Sequence, residues 1–126
     1  MASILIIDDE PSLAAPLAEV LRRDGHDADW VPDVREALAH LHGNEPDLIL
    51  LDLSMPRTDG LELLDAIREE PRLADVRVAV YTGRTDEASR ETARKLGACD
   101  YIVKGPNWDE IYARIKAQLP PETMMA

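Results

Sequence analysis

The fold of this chain is decided by residues 47–60, which read DLILLDLSMPRTDG. The run from Asp47 to Leu51 is almost continuously apolar and of strand length, which is the pattern of a strand buried on both faces. Asp52 follows that run directly, and Gly60 precedes a helical pattern. We therefore predict a central strand that ends at Asp52 and a helix after Gly60 with an apolar face of Leu61, Leu64 and Ile67.

Short apolar runs and helical patterns alternate along the rest of the chain. The further predicted strands are Ser3–Ile7, Asp27–Val31, Val76–Tyr81 and Tyr101–Val103. The further predicted helices carry Leu13, Leu17, Val20 and Leu21; Ala37, Leu38 and Leu41; the segment from Asp86 to Leu96; and Trp108, Ile111, Ile115 and Leu119. Strands that alternate with helices imply βαβ units, and hence an α/β fold with a parallel sheet covered on both faces.

Cap and turn residues punctuate this pattern. Asp33 and Asn107 stand where helix N-caps are expected, and Gly25 and Gly97 stand where helices are expected to end. Pro16 lies inside the first helical pattern, where it either kinks the helix or delays its start.

The bulk composition bounds the class of protein. A chain of 126 residues with 45% hydrophobic and 31% charged residues fits one globular domain. No apolar stretch approaches the roughly 20 residues that span a bilayer, and the start of the chain lacks the basic region of a signal peptide. Cys99 is the single cysteine, which suits a reducing compartment. We expect a domain over residues 1–120, a frayed tail over residues 121–126, and a cytoplasmic location without membrane insertion.

The chain is strongly acidic, with 25 acidic and 14 basic residues and a formal net charge of −11. Direct binding to nucleic acid or to anionic membranes favours basic patches, so this charge argues against both. It suits the binding of a cation or of a protein partner, although a soluble acidic surface is the simpler interpretation of charge alone.

Polar residues follow four of the five predicted strands. Asp8 and Asp9 follow the first strand, Asp52 the third, Thr82 the fourth and Lys104 the fifth. Because ligands of open parallel sheets bind beyond the carboxyl ends of the strands, we expect these side chains to converge at one edge. A helix N-cap, a turn or a solvated lysine would explain any one of them, but their joint occurrence favours a site.

Three neighbouring carboxylates call for a cation, since without one they would repel and at least one would tend to protonate. Mg2+ takes a few carboxylate or carbonyl oxygens and leaves room for a phosphoryl oxygen. A carboxylate can attack phosphorus and form an aspartyl phosphate, while Lys104 and the Thr82 hydroxyl hold the remaining phosphoryl oxygens. The residues therefore predict Mg2+-dependent phosphoryl transfer to an aspartate.

Four motifs of the chain resemble the receiver domains of two-component response regulators. They are Asp8-Asp9-Glu10-Pro11, the stretch from Asp52 to Gly60, Thr82-Gly83, and Tyr101 to Lys104, in the order and spacing of that family. The resemblance covers nearly the whole chain and extends to the single-domain chemotaxis regulators. It implies a flavodoxin-like, doubly wound (βα)5 fold whose parallel sheet has the strand order 2-1-3-4-5.

The resemblance also implies a role for each residue of the site. Asp52 is the implied phosphoacceptor, and Lys104 pairs with the phosphoryl group. Thr82 is the implied switch hydroxyl, and Tyr101 is the switch aromatic residue whose ring turns inward on activation. The implied Mg2+ ligands are Asp9, Asp52 and the backbone carbonyl of Ser54, with Asp8 in support.

Two features of the chain differ from the common family pattern or vary within it. The family usually has proline directly after the lysine, whereas Gly105 follows Lys104 here and Pro106 comes one place later. Ser54 and Arg84 occupy positions that tune the lifetime of the phosphoryl group in the family. The Arg84 side chain is expected either to screen or pair with the phosphoryl group, or to be solvated.

The resemblance implies a phosphorylation-controlled binding module rather than an enzyme with its own substrate. A histidine kinase or phosphotransfer protein would dock near the first helix and donate to Asp52, and a downstream protein would bind the phosphorylated form. Since no residues remain for an output domain, we expect signalling by protein contact, without direct binding to nucleic acid.

Three other functions are weighed against this one. The shifted proline motivates a pseudo-receiver, in which the same fold binds partners without phosphorylation. A Mg2+-dependent phosphatase with an aspartate nucleophile is less favoured, because such hydrolases usually carry an Asp-x-Asp pair and a cap insertion. A flavin mononucleotide binder fits the architecture, but the acidic first loop would repel its phosphate.

Overall fold

The computed structural model describes residues 2–120 of the chain. The predicted tail, residues 121–126, lies outside the described residues. Within residues 2–120, no helix combines the length and the apolar character that crossing a membrane requires.

Five parallel strands form the central sheet, and we number them in chain order. They are β1 (Ser3–Ile7), β2 (Asp27–Val31), β3 (Leu48–Leu51), β4 (Arg77–Thr82) and β5 (Asp100–Val103). Their order across the sheet is β2-β1-β3-β4-β5, and every neighbouring pair is parallel. This confirms the predicted α/β flavodoxin-like fold and the order 2-1-3-4-5. The strand order reverses between β1 and β3, so their carboxyl ends flank the crevice in which such sheets bind ligands.

A helix follows each strand. The helices are α1 (Pro11–Arg23), α2 (Val34–Gly43), α3 (Gly60–Glu69), α4 (Glu87–Lys95) and α5 (Trp108–Ala117). Helix α1 begins at Pro11 and continues through Pro16, so Pro16 does not delay its start. Gly25 and Gly97 follow α1 and α4 with φ values of 92° and 81°, a conformation that glycine adopts without steric cost. Side-chain N-caps begin the four later helices: Asp33, Asp59, Asp86 and Asn107.

The sheet separates two apolar cores, because alternate residues of a strand point to opposite faces. Leu5 and Ile7 of β1 pack on one side with α2, α3 and α4, whereas Ile4 and Ile6 pack on the other side with α1 and α5. Strand β3 is buried on both faces, with no residue of Leu48–Leu51 more than 1% exposed. The buried central strand that residues 47–60 predict is confirmed. Asp52 therefore directly follows a strand that is packed on both faces.

Three large apolar residues that the helical spacing assigns to buried faces are exposed. Leu13 in α1, Leu38 in α2 and Trp108 in α5 are 39%, 49% and 38% exposed. The prediction for these three residues was wrong, because other residues of each helix face the sheet. The residues that form the buried stripes are Ala14, Leu17, Ala18 and Leu21 in α1, Ala37 and Leu41 in α2, and Ile111 and Ile115 in α5. Small alanines carry much of the packing of α1 and α2. Ala37 was among the predicted residues, but Ala14 and Ala18 were not, because a search for large apolar residues overlooks them.

A two-stranded hairpin between β3 and α3 was not predicted. Ser54–Met55 pairs with Thr58–Asp59 in antiparallel register. Arg57 in the turn has a φ of 63°, and proline followed by a residue at positive φ is typical of a type II turn. Strands of two residues are too short to leave a hydrophobic period, so the sequence pattern carries no sign of them.

Candidate functional site

Two buried carboxylates and one lysine meet at the carboxyl edge of the sheet. Asp8 follows β1, Asp52 follows β3 and Lys104 follows β5, and the two aspartates are only 1% and 2% exposed. The Lys104 ammonium donates to Asp8 Oδ2 at 2.8 Å and to Asp52 Oδ2 at 3.1 Å. Three of the predicted site residues therefore converge at the point where the strand order reverses.

The shifted proline does not keep Lys104 away from the site. The backbone N–H of Lys104 donates to the Thr82 carbonyl at 2.8 Å, which extends the pairing of β4 and β5 by one hydrogen bond. The chain turns only afterwards, at Gly105 and Pro106. The backbone of Lys104 is thus held by the sheet, before the turn at Gly105 and Pro106 begins.

Burial and charge act against each other at this cluster. Burial raises the pKa of Asp8 above its ordinary value, although the hydrogen bond from Lys104 acts in the opposite direction. For Lys104, burial lowers the pKa, but the hydrogen bond to Asp8 and the charges of Asp52 and Asp8 outweigh burial, so its pKa is raised. Lys104 therefore stays protonated at neutral pH and offsets part of the negative charge of the carboxylates.

Two further acids extend the pair to a cluster of four carboxylates. Asp8, Asp9, Glu10 and Asp52 each offer one oxygen, and these four oxygens lie within 4.8 Å of one another. Carboxylate oxygens are the ligands that Mg2+ prefers, and one or two suffice because the ion keeps several waters. The residues therefore fit a divalent cation. Glu10, which also accepts from Lys104 at 3.3 Å, was not among the predicted ligands, although its place directly after the acidic pair was a usable signal.

The loop after β3 holds the other oxygen of the Asp52 carboxylate. The backbone N–H of Ser54 donates to Asp52 Oδ1 at 3.0 Å. Helix α3 begins so close to this loop that a Cβ on Gly60 would lie 2.6 Å from Leu53 Cα and 2.7 Å from the Asp52 carbonyl oxygen. Gly60 is thus needed for close approach. The predicted role of the Ser54 carbonyl as a metal ligand stays a prediction.

Both predicted switch residues are buried, and both contact the backbone of Arg84. Thr82 ends β4, and its hydroxyl oxygen accepts from the Arg84 N–H at 3.3 Å. The Tyr101 hydroxyl donates to the Arg84 carbonyl at 2.9 Å, and the guanidinium of Arg90 lies 4.6 Å from the centre of the Tyr101 ring. The loop after β4 therefore connects the two switch residues directly.

The side chain of Arg84 lies between two loops. Its Nη1 donates to the Leu53 carbonyl at 3.3 Å and its Nη2 to Ser89 Oγ at 2.6 Å. The carboxylates of Asp59 and Asp86 lie 3.8 Å and 3.7 Å from the guanidinium. The sequence left open whether this side chain is solvated or directed at the phosphoryl group. In the structure it instead connects the loop after β3 with the first turn of α4.

A cavity of about 500 Å³ lies away from this cluster, at the opposite edge of the sheet. It borders Arg68, whose guanidinium donates to the carbonyls of Val76, Leu96 and Gly97 at 2.6, 3.0 and 3.1 Å. These hydrogen bonds join the segments that precede β4 and β5. Each guanidinium nitrogen of Arg68 thus has a backbone partner, and the role of this side chain is structural. The acidic cluster at the carboxyl edge is therefore the better candidate for the functional site.

The sequence matches the model of a known protein family and is similar to a known regulatory protein. Residues 4–116 match the family described as the response regulator receiver domain. The sensory transduction protein RegX3 of Mycolicibacterium smegmatis is 39% identical over 119 residues, which cover 94% of this chain and 51% of RegX3. The chain thus spans about half the length of that relative.

Two solved structures are similar in fold over most of the chain. The chemotaxis protein CheY4 of Vibrio cholerae has a TM-score of 0.86 and 26% identity, covering 94% of this chain and 99% of that one. The response regulator TrrA of Thermotoga maritima, in complex with Mg2+-BeF, has a TM-score of 0.81 and 32% identity, covering 94% and 100%. With the family match over nearly the whole chain and the acidic site at the expected edge, the chain belongs to the response regulator receiver domain family.

Proposed function

We propose that Asp52 accepts a phosphoryl group in a Mg2+-dependent reaction and that the phosphorylated domain signals through protein contacts. The observation that carries the proposal is the Lys104 ammonium, 2.8 Å from Asp8 and 3.1 Å from Asp52 in a buried cluster. An ammonium so close to Asp52 Oδ2 would pair with phosphoryl oxygens attached to that carboxylate. Asp9 and Glu10 add the further oxygens that a cation needs.

The donor is a phosphohistidine on a histidine kinase or on a phosphotransfer protein. A carboxylate oxygen of Asp52 bonds to phosphorus while the phosphorus–nitrogen bond to the donor imidazole breaks. The imidazole nitrogen keeps the electron pair of that bond. Negative charge is spread over the phosphoryl oxygens during transfer, and Lys104 and the Thr82 hydroxyl would stabilise that charge. The chain is itself the acceptor, so the reaction is a modification of a signalling module and not the turnover of a substrate.

The acidic cluster would hold the metal ion. Asp9, Asp52 and the Ser54 carbonyl are the proposed ligands, with Asp8 in support and Glu10 as a further candidate. Bound Mg2+ supplies neutralisation of the charge on the transferring group. Four carboxylates against one lysine leave the cluster negative, which favours a divalent cation, and the Mg2+-BeF complex of TrrA supports the same assignment.

A phosphorylation assay by intact mass tests the proposal. The protein is incubated with Mg2+ and an acyl phosphate as a small donor, and then its mass is measured. We expect the wild type to gain one phosphoryl group, Asp52→Asn to gain none, and EDTA to abolish the gain. An unchanged mass of the wild type, or an equal gain in Asp52→Asn, would contradict the proposal.

Two of the three alternatives are separated from the proposal by experiment. A pseudo-receiver would bind partners without gaining mass, and its motivation is weakened because Lys104 reaches the site although Gly105 follows it. A phosphatase would release inorganic phosphate from a generic phosphoester over many turnovers, whereas a phosphoacceptor takes one equivalent.

The partners follow from the surfaces beside the site. The donor protein would dock near α1, where Leu13 is exposed next to the acidic loop. Phosphorylation would change the surface of α4, β5 and α5, which a downstream protein would bind. Ser54 and Arg84 would tune the lifetime of the phosphoryl group. The proposed receiver domain spans residues 1–120, with a tail over residues 121–126, and acts in the cytoplasm.

A further inference from the structure

We infer that Arg84 is a positioning residue for the Asp52 carboxylate, acting through the peptide group between Leu53 and Ser54. The inference rests on the proposed function, because it concerns how the phosphoacceptor of that function is oriented. The described contacts of the Arg84 guanidinium are with Leu53, Ser89, Asp59 and Asp86. Arg84 would therefore act on Asp52 only indirectly.

One peptide group connects the guanidinium to the carboxylate. The Leu53 carbonyl and the Ser54 N–H belong to the same planar unit, so neither can turn without the other. Arg84 Nη1 donates to the carbonyl end of this unit at 3.3 Å. The N–H end donates to Asp52 Oδ1 at 3.0 Å. The orientation that Arg84 imposes on the carbonyl is therefore passed to the hydrogen bond that holds Asp52.

The guanidinium is anchored on its far side, so it does not simply follow the loop. Its Nη2 donates at 2.6 Å to Ser89 Oγ, and Ser89 is only 2% exposed in the first turn of α4. The Asp86 carboxylate, which caps α4, lies 3.7 Å from its Nε. Helix α4 thus supplies a fixed point from which Arg84 reaches the loop after β3.

The effect on Asp52 is both geometric and electrostatic. With Oδ1 held by Ser54, Oδ2 of Asp52 faces the Lys104 ammonium. A cation on the Leu53 carbonyl also polarises the peptide group and strengthens its N–H as a donor. Without Arg84, the same carbonyl keeps the N–H of Gly60, which donates to it at 3.3 Å. The loop then stays in place, but the carboxylate is held less firmly for in-line transfer.

The rate of phosphorylation by an acyl phosphate, at saturating Mg2+, tests this inference. We expect Arg84→Met to react about tenfold more slowly than the wild type, the effect of one lost charge-assisted hydrogen bond. Arg84→Lys, which keeps a cationic donor, should recover most of the rate. Arg35→Met is the matched control, because it removes the same charge from an exposed position on α2, and its rate should equal that of the wild type.

The chemical shift of the Ser54 amide distinguishes this role from a general loosening of the fold, which would shift many resonances and not this one selectively. In 1H–15N spectra of the unphosphorylated protein, we expect this resonance to shift in Arg84→Met and to return toward its wild-type position in Arg84→Lys. Rates of Arg84→Met within twofold of the wild type, or a slow Arg84→Met with an unmoved Ser54 amide, would overturn the inference. A wild type that gains no phosphoryl group contradicts the proposed function itself. A wild type that is phosphorylated, with Arg84→Met at the same rate, contradicts only the role of Arg84.

Discussion

At the scale of single residues, Lys104 is the cation on which the charge balance of the site depends. Its ammonium contacts three carboxylates of the acidic cluster, two of which are buried. Removing one partner of a buried ion pair costs more stability than the pair contributes, because an uncompensated charge stays behind. Without Lys104, a bound metal ion could take over this balance.

This dependence predicts the behaviour of Lys104→Met. In urea unfolding without Mg2+, we expect its free energy of unfolding to fall by about 3 kcal/mol, and saturating Mg2+ should restore most of the loss. Lys95→Met, which removes an exposed lysine from α4, should match the wild type in both conditions. Equal losses with and without Mg2+ would show that Lys104 does not share the charge balance with a metal.

The three tyrosines of the chain offer a test of burial by titration. Burial raises the pKa of Tyr81, Tyr101 and Tyr112, and Tyr112 in addition donates a hydrogen bond to Asp24. In an absorbance titration of the folded protein, we expect all three phenols to ionise above their ordinary pKa of about 10, and in urea to ionise near it. Because the folded pKa lies above the unfolded one, this contribution to stability is complete below about pH 10 and is lost as the pH rises further. A phenol that ionises in the folded state at its unfolded pKa would contradict the burial described for it.

The sequence predicts those site residues whose position depends on the backbone alone. Asp8, Asp52, Thr82 and Lys104 were predicted to converge because each directly follows a strand, and parallel strands bring their carboxyl ends together. The contacts of Arg84 were not predicted, since they depend on where a long side chain turns. Sequence spacing carries no information on that direction.

At the scale of elements, the loop between β3 and α3 is held by the close approach of Gly60. A Cβ at this position would come within 2.7 Å of the backbone of Leu53 and Asp52, and backbone atoms cannot move aside cheaply. The sequence predicted a helix after Gly60, but the main constraint on this residue is the close contact with Leu53 and Asp52, which only the folded loop reveals.

Gly60→Ala should therefore be destabilising and should disturb the acceptor. We expect a loss of about 1–3 kcal/mol in the free energy of unfolding, typical of overpacking, together with slower phosphorylation. Gly105→Ala is the control, because a Cβ there meets nothing within 4 Å, and it should change stability by no more than about 0.5 kcal/mol. A Gly60→Ala protein as stable as Gly105→Ala would contradict the close approach.

Comparison of the predicted and observed elements shows which sequence patterns predict burial correctly. The continuous apolar run of β3 predicted its burial correctly, because helices cover both faces of the sheet at this strand. The hairpin of Ser54–Met55 with Thr58–Asp59 left no periodic signal. Leu13 and Leu38 were wrongly assigned to buried faces because alanines and other leucines of α1 and α2 pack against the sheet instead.

At the scale of the whole molecule, a net charge of −11 and an acidic cluster predict that Mg2+ stabilises the fold. A ligand that binds only the folded state raises the free energy of unfolding by about 2.7 kcal/mol at one hundred times its dissociation constant. We expect thermal unfolding to move to higher temperature as Mg2+ is added. Asp9→Asn should lose most of this shift, and NaCl at matched ionic strength should not reproduce it. Equal shifts with NaCl and with Mg2+ would indicate general screening of charge rather than a site.

The central claim, that Asp52 carries the phosphoryl group as an acyl phosphate, can be tested by chemical mapping. Borohydride reduces an aspartyl phosphate to homoserine, so the protein is phosphorylated with Mg2+ and an acyl phosphate, reduced, digested and sequenced by mass spectrometry. We predict homoserine at residue 52 in the phosphorylated wild type and unmodified aspartate there when Mg2+ is withheld. Homoserine at residue 8 or 9 in place of 52, or its absence from a protein that has gained phosphate, would contradict the claim.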